Sequence, residues 1–266
     1  MEARRPLGDV FGDVDATGGA DAAAEFLEEL GHVPAFVALK RRSLDLLQAG
    51  EADRALDLGC GLGDDVAALA RRVGPRGTAI GVDRSRHLIE MARARHDGAD
   101  FVVAEAGSLP FEPASFDRCR VERVLQHVEA PQRVLREVRR VLRPGGTLVI
   151  TEAVLVVDGS APHPPDPVLE ALLERVSLRG RAGSWLARFY PALMARAGFQ
   201  ALAVDEHRER IHAAADVRRC LGIRLGVGPE EPDLAAWWAA FSAALAGGTR
   251  WLELHGVHLR GHASAP

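Results

Sequence analysis

From Arg54 to Val156, short apolar runs alternate with amphipathic stretches. The segments "RALDL" (54–58), "TAIGVD" (78–83), "DFVVAE" (100–105), "FDRCRV" (116–121) and "TLVITEAVLVV" (147–157) read as strands. Between them, residues 64–72, 85–95 and 131–142 carry apolar positions at helical spacing. Strand, helix, strand, helix predicts a parallel sheet covered on both faces, an open doubly wound α/β fold. Ser85 is placed to cap the second helix and Pro131 suits the first position of the third. The "RPGG" at 143–146 ends that helix and turns the chain into the next strand.

The flanks follow other rhythms. Residues 1–20 are rich in Gly and Asp with few periodic apolar positions, which predicts a mobile tail. From Ala22 the pattern is helical, with Phe26, Leu27, Leu30, Val33, Phe36, Val37, Leu44 and Leu47 at suitable spacing and Gly31 and Pro34 dividing two segments. Beyond Asp158 the proline-rich "DGSAPHPPDP" leads into an insertion, with a helix expected over 167–178 and another in "SWLARFYPALMARAGF", ending at Gly198. A strand in "QALAVDEHRERIHA", a second insertion over 213–247 and a last strand near "WLELHGVHLRG" complete the chain. The expected organisation is one domain over 1–266: a tail and cap helices over 1–50, a core over 51–157, lid insertions over 158–190 and 213–247, and remaining core strands over 191–212 and 248–266.

Composition adds exclusions. The chain has 266 residues, 47% of them hydrophobic, enough for a substantial core, and its formal net charge of -4 creates no field that would draw it onto nucleic acid or an anionic membrane. Lys40 is the only lysine; the preponderance of arginine reads as codon bias, so the arginines carry little weight as candidate ligands. Cys60, Cys119 and Cys220 lie far apart, forming neither a zinc motif nor a disulfide framework, which suits a reducing compartment. The N-terminus lacks the apolar region of a signal peptide, and the most apolar run is interrupted by Thr151 and Glu152, so a cytoplasmic location is expected.

The chemistry concentrates in "RALDLGCGLGDD". Gly59, Gly61 and Gly63 form G-x-G-x-G, whereas a dinucleotide fingerprint needs G-x-G-x-x-G and Asp64 occupies its third glycine position. A pyrophosphate there faces Asp57, Asp64 and Asp65, and each like-charge pair at ~4–6 Å costs on the order of 3–4 kcal/mol at an effective dielectric near 20. A ligand with a positive centre reverses that sign. Asp64 and Asp65 have two readings, contact with such a ligand or complement to a helix N-terminus. Asp57 lies at a strand end in an apolar run, where an uncompensated carboxylate is costly. Asp83 follows the second strand at the distance from which an acid grips a ribose diol, and Glu105 ends the third strand at the same edge.

These segments resemble the class I S-adenosylmethionine-dependent methyltransferases, in their small-molecule, menaquinone-methyltransferase-like branch. "ALDLGCGLGDD" resembles the first motif and "GVDRS" the ribose-binding acid. "AEAGSLPFEPASFDRC" and "VLQHVEAPQRVLREVRRVLRPGGTLVI" resemble the remaining core motifs, and "ARAGF" continues the match more weakly. The resemblance implies a Rossmann-like, seven-stranded, mostly parallel sheet with helical lid insertions, and S-adenosylmethionine as cofactor, with S-adenosylhomocysteine as product. It implies that Asp57 with Gly59, Cys60, Gly61 and Gly63 holds the methionine part, Asp83 the ribose and Arg84 the flank of the adenine. Glu105 or Ala106 then meets the adenine edge, and Val121 and Glu122 lie beside the donor. Glu105 departs from the aspartate common at that position.

Methyl transfer needs proximity and alignment more than protein chemistry, and no metal. A hydroxyl acceptor also needs a base, and His127 in "RVLQHV" is the nearest candidate, with His163 and Asp166 of the proline-rich connection placed to face the same pocket. Phe26, Phe36, Trp185, Phe189, Tyr190, Trp237, Trp238 and Phe241 lie outside the core strands, and a lid built from them suits an apolar or aromatic small molecule, although each ring alone is more often core than ligand contact. The expected activity is O-methylation in specialised metabolism, by a monomer or homodimer, with N- or C-methylation as variants. A protein of this fold that binds the cofactor but catalyses a cyclisation is the competing expectation. A nicotinamide-dependent oxidoreductase or a pure binding protein is disfavoured by the glycine spacing and the strand-end acids.

Overall fold

The computed structural model describes residues 14–15, 19–159, 166–168, 189–221 and 232–264. Two helices, α1 (Ala20–Gly31) and α2 (Pro34–Leu47), precede the first strand, β1 (Arg54–Leu58). There follow α3 (Asp64–Val73), β2 (Thr78–Asp83), α4 (Arg86–Arg95), β3 (Asp100–Val103) and β4 (Phe116–Glu122). A 3-10 turn at Leu125–His127 leads into α5 (Pro131–Val141) and β5 (Leu142–Gly159). Beyond them come α6 (Tyr190–Arg196), β6 (Phe199–Ile211), α7 (Ala214–Cys220), α8 (Pro232–Ala246) and β7 (Arg250–Ala263).

The seven strands form one sheet in the order β3-β2-β1-β4-β5-β7-β6, parallel except for β7, which runs antiparallel to both of its neighbours. This is the doubly wound, mostly parallel arrangement that the alternating pattern predicts. Apolar side chains of α2, α3 and α4 cover one face, where Leu47, Val66, Leu69 and Ile89 are buried. On the other face α5 lays Val134, Leu135, Val138 and Val141 against the sheet, each such burial stabilising by roughly 1.5–3 kcal/mol. The Ser85 hydroxyl accepts from the Leu88 amide at 3.1 Å and so caps α4, and Pro131 opens α5.

Several boundaries differ from the sequence expectation. The helix over 131–142 stops at Val141, because Leu142 already pairs with Phe116 in the sheet. β3 ends at Val103, and the Glu105 carbonyl accepts from the Ser108 amide at 2.9 Å in a turn. β5 reaches Gly159 and pairs with β7 over thirteen positions, from Thr147↔His262 to Gly159↔Arg250, whereas its register with β4 ends at Thr151. Val14 and Asp15, in the expected tail, are docked: Asp15 accepts from the Ser85 hydroxyl at 2.5 Å and the Arg86 amide at 2.8 Å. Most of the expected helix over 167–178, with His163 and Trp185, lies outside the described residues. No helix among the described residues is long and apolar enough to cross a membrane.

Candidate active site

Strand order reverses between β1 and β4, and a pocket opens there over the carboxyl ends of the strands. The turn after β1 supplies Gly59, Cys60 and Gly61 to its wall, and Asp83 with Arg84 follow from the end of β2. Glu105 and Ala106, after β3, close the far side, and Glu122 and His127 enter from β4 and the 3-10 turn. The turn is hooked to its neighbour, because the Gly59 and Cys60 amides both donate to the Val82 carbonyl, at 2.7 and 3.0 Å. Gly59 has φ +75°, and a Cβ there would stand 2.2 Å from Val124 Cγ2, so only glycine lets the turn pass beneath the exit of β4. Asp83 is fixed from both sides: Oδ2 accepts from the Gly61 amide at 3.0 Å and Oδ1 from the Ser85 amide at 2.9 Å. The carboxylate keeps acceptor capacity for a hydroxyl. Burial raises this carboxyl above its ordinary value, against the bonds from Ser85 and Gly61.

Three residues of the candidate set stand behind the pocket wall. Val121 is fully buried in the sheet core. Gly63, at φ +84°, begins α3, and a Cβ there would meet the Phe101 ring at 2.7 Å, so its glycine serves helix packing. Asp57 is buried and is not uncompensated: Arg120 Nη1 donates to its Oδ1 at 2.8 Å. Asp64 and Asp65 both line the pocket, and neither caps α3 by a side-chain bond. Asp65 instead accepts from Lys40 at 2.7 Å and lies 3.2 Å from Arg120. Burial acts to raise its pKa, but Arg120 and Lys40 outweigh burial and hold the carboxyl well below the usual carboxylate range.

Arg120 is therefore the centre of the site, and discounting the arginines missed it. Its guanidinium, 2% exposed, donates to Asp57, to Glu122 and to the Ser43 hydroxyl (2.7 Å), with Asp65 beside it. A full cation inside a central strand requires such partners. The legible signal was "FDRCRVE", with two arginines in a strand that should be continuously apolar. Lys40 was the other overlooked residue; it lines the pocket from α2.

The pocket also has an apolar lining. Val124 and Val128 line it with His127, Phe26 lines it from α1, and Leu27, also of α1, lies against the glycine turn at Gly61. Burial, and then the Arg123 charge, push the His127 imidazole down to about 4, so it is neutral at physiological pH, with Nε2 3.1 Å from the Gln126 side chain. Arg123 takes φ +53°, a left-handed conformation that costs on the order of 1–3 kcal/mol for a non-glycine residue, held by its amide donating to the Thr151 carbonyl at 2.8 Å. Behind the same turn, Glu152 is 3% exposed, and burial pushes its carboxyl up to about 8 against the Arg123 charge.

The expected aromatic lid is mostly a second core. Phe36, Phe241, Trp237 and Trp238 pack with Leu30, Leu252 and Leu254, Trp237 stacking on Phe241 at 4.9 Å between centroids. Of the described aromatics, Phe26 alone reaches the pocket, while Tyr190 is buried and Phe189 is 52% exposed. Asp166 does not face the pocket; it accepts from Trp237 Nε1 at 2.9 Å and from Arg250 at 3.0 Å, tying the start of the inserted segment to α8 and β7.

A seven-stranded sheet with β7 inserted antiparallel, a glycine turn after β1 and an acid at the end of β2 define the class I methyltransferase fold. A model of the methyltransferase domain matches residues 49–187, and the chain belongs to this family of S-adenosylmethionine-dependent methyltransferases. It is 36% identical over 172 residues to the methyltransferase GfsG of Streptomyces halstedii, covering 62% of this chain and 59% of that protein. It is 38% identical over 113 residues to the demethylmenaquinone methyltransferase of Thermotoga maritima, covering 42% of this chain and 49% of that one. The chain thus spans about half the length of these curated relatives. Among solved structures, the [4+2]-cyclase SpnF shares the fold with a TM-score of 0.54 at 22% identity, over 85% of this chain and 82% of that one.

Proposed function

We propose that the protein binds S-adenosylmethionine in the strand-end pocket and methylates an oxygen of a small, apolar or aromatic metabolite. The observation that carries the reading is Asp83, whose carboxylate is bonded to the glycine turn itself, so that the diol-binding acid and the close-approach backbone form one preorganised unit. The residues present fit the cofactor's chemistry. Asp83 suits its ribose; Arg84 and Glu105, 3.8 Å apart at the outer edge, suit its base. Glu122 and Asp65 suit the positive groups of its amino-acid part, and Lys40 and Arg120 the carboxylate. When bound, this cofactor supplies a methyl group on a sulfonium, and the C–S electron pair leaves with sulfur as the acceptor atom bonds to carbon.

The chain's own task is then alignment and exclusion of water. Phe26, Val124 and Val128 offer an apolar wall to the acceptor. His127, neutral and next to that wall, is the candidate base. A small-molecule acceptor is supported by the demethylmenaquinone methyltransferase, which is named for methyl transfer to a small molecule, and specialised metabolism is the setting we propose for that acceptor. Calorimetric titration with S-adenosylhomocysteine tests the pocket: micromolar binding lost in Asp83→Ala is expected, and tighter binding of NAD would defeat the reading. Incubation with methyl-labelled cofactor and a panel of phenols, acids and amines tests the reaction. Label appears in an O-methyl product if the reading is right, whereas a transformed product without label identifies the cyclase-like alternative. His127→Asn with cofactor saturating lowers turnover if His127 is the base; unchanged turnover removes it from that role.

A further inference from the structure

The pocket contains a second cation, beside His127 and Val124, whose hydrogen-bonding capacity is largely unspent. Arg123 lines the pocket, and its side chain is 13% exposed. Its Nε is buried without a hydrogen-bond partner and is ion-paired at 3.6 Å with Glu122 Oε1, beyond hydrogen-bond distance, which leaves the terminal Nη groups as the donors offered to the pocket. Glu122 meanwhile spends its other oxygen, Oε2, on Arg120. The remaining support for the guanidinium is the face of the buried Phe36 ring, 5.3 Å from Cζ to centroid, which holds its plane without occupying its N–H groups. Glu152, behind the turn, is kept protonated by burial and so does not cancel the charge.

The backbone shows that this placement is imposed. Arg123 is one of five non-glycine residues with positive φ among the described residues, and of those five it alone lines the pocket. An arginine held in the left-handed region at the exit of β4, on an aromatic platform and next to an apolar wall, is arranged to present a forked donor to something that enters from solvent.

We propose that Arg123 is the acceptor-recognition residue of this site, and that the acceptor is an apolar or aromatic molecule whose reacting oxygen is acidic, a phenol or a carboxylic acid, bound as its anion. The inference rests on the methyltransferase reading and narrows it. The oxygen loses its proton to solvent and binds as the anion; its lone pair then forms the O–C bond while the C–S pair returns to sulfur. The anion and the sulfonium charge vanish together, leaving a neutral ether or ester and a neutral thioether, so Arg123 holds the reactant more tightly than the product. Arginine is suited to this because its planar donors match a carboxylate bidentately and grip a phenolate singly.

The test uses binding, with S-adenosylhomocysteine-loaded protein titrated calorimetrically at pH 7, where Glu152 stays protonated, with benzoate, 4-nitrophenolate and benzylamine. The expected result is that at least one of the two anions binds and benzylamine does not. Arg123→Asn, a residue that tolerates the left-handed backbone, is expected to weaken anion binding by about tenfold or more while leaving S-adenosylhomocysteine affinity unchanged. Arg123→Lys restores part of the loss for 4-nitrophenolate and less for benzoate, which loses the bidentate fork. Which anion binds separates the phenol from the acid. The proposal is overturned if neither anion binds the loaded wild-type protein, if benzylamine binds better, or if Arg123→Asn binds the anion as tightly as wild type. Failure of S-adenosylhomocysteine to bind at all would instead bring down the reading beneath it.

Discussion

The parallel half of the sheet and the antiparallel half with its helical cover are built by different means. From β1 to β4 most chemical groups sit near a strand end, in the few residues where a strand yields to a turn, with Arg120 inside β4 and Lys40 on α2 as the exceptions. Between β5, β7, α7 and α8 the side chains that matter are mostly apolar, and their place is fixed by residues far away in the chain: Trp237 and Phe241 meet Phe36 and Leu252, and the ion pair of Asp166 with Arg250 ties them to the inserted segment. The first half turns local sequence directly into a site. The second turns composition into a core, and which of its aromatic rings reaches the ligand depends on tertiary packing alone.

This contrast is open to attack by mutation. The largest effect belongs to Arg120→Ala, which strands Asp57 and Glu122 inside the protein; a loss of about 3–5 kcal/mol in urea unfolding is expected, together with loss of S-adenosylhomocysteine binding. Arg120→Ala combined with Asp57→Asn should recover part of that stability, and additive losses would show that the two do not act as a pair.

Glu152 lies at the seam between the halves and should impose a pH dependence on stability. Its folded pKa, about 8, exceeds the ordinary carboxylate value of 4.5. Between those values the unfolded chain releases a proton that the native state retains, so stability falls as pH rises through the window, by on the order of a few kcal/mol. The contribution is fully present below about pH 4.5 and lost once pH passes the folded value. Urea unfolding at pH 5 and 8.5 should show this decline in the wild type and a flatter profile in Glu152→Gln; equal slopes would mean that Glu152 is ionised in the native protein.

Two smaller effects sharpen the comparison. Phe241→Leu, in the aromatic core, should cost about 1–2 kcal/mol and leave S-adenosylhomocysteine affinity unaltered; a weakened affinity would mean that the cover helices also shape the cofactor site. Ser85→Ala removes the α4 cap and should cost about 1 kcal/mol. Because the same hydroxyl donates to Asp15, that variant should also release residues 14–15, which accelerated proteolysis near the N-terminus would detect.

The sequence was most informative where one residue decides geometry. The strands β1 and β2, the α4 cap, the Pro131 helix start and the glycine turn were legible because alternation, capping and turn chemistry act over a few neighbours. Asp83 and Glu105 were legible as acids recurring at strand ends, and Glu122 through the family resemblance. Arg120 was not, because among so many arginines its importance appears only when Asp57, Asp65, Glu122 and Ser43 converge on it in space. Nor was Arg123, whose left-handed backbone leaves no mark in residue type. The aromatic residues were read as lid because they lie outside the core strands, and most turned out to fill the space between α1, α2, α8 and the extended β5–β7 ladder.

That ladder also constrains how the chain is made. β7 follows β6 in sequence yet lies between β5 and β6, so neither can complete its hydrogen bonds until residues 250–263 have left the ribosome. For the whole time that α6 to α8 are being synthesised, β5 presents one unpaired edge, a template for the wrong partner. The finished sheet hides this interval completely. A nascent chain arrested just before Arg250 should bind chaperones and aggregate, whereas one released a little after Ala263 should not: the last strand to emerge is the one that closes the sheet.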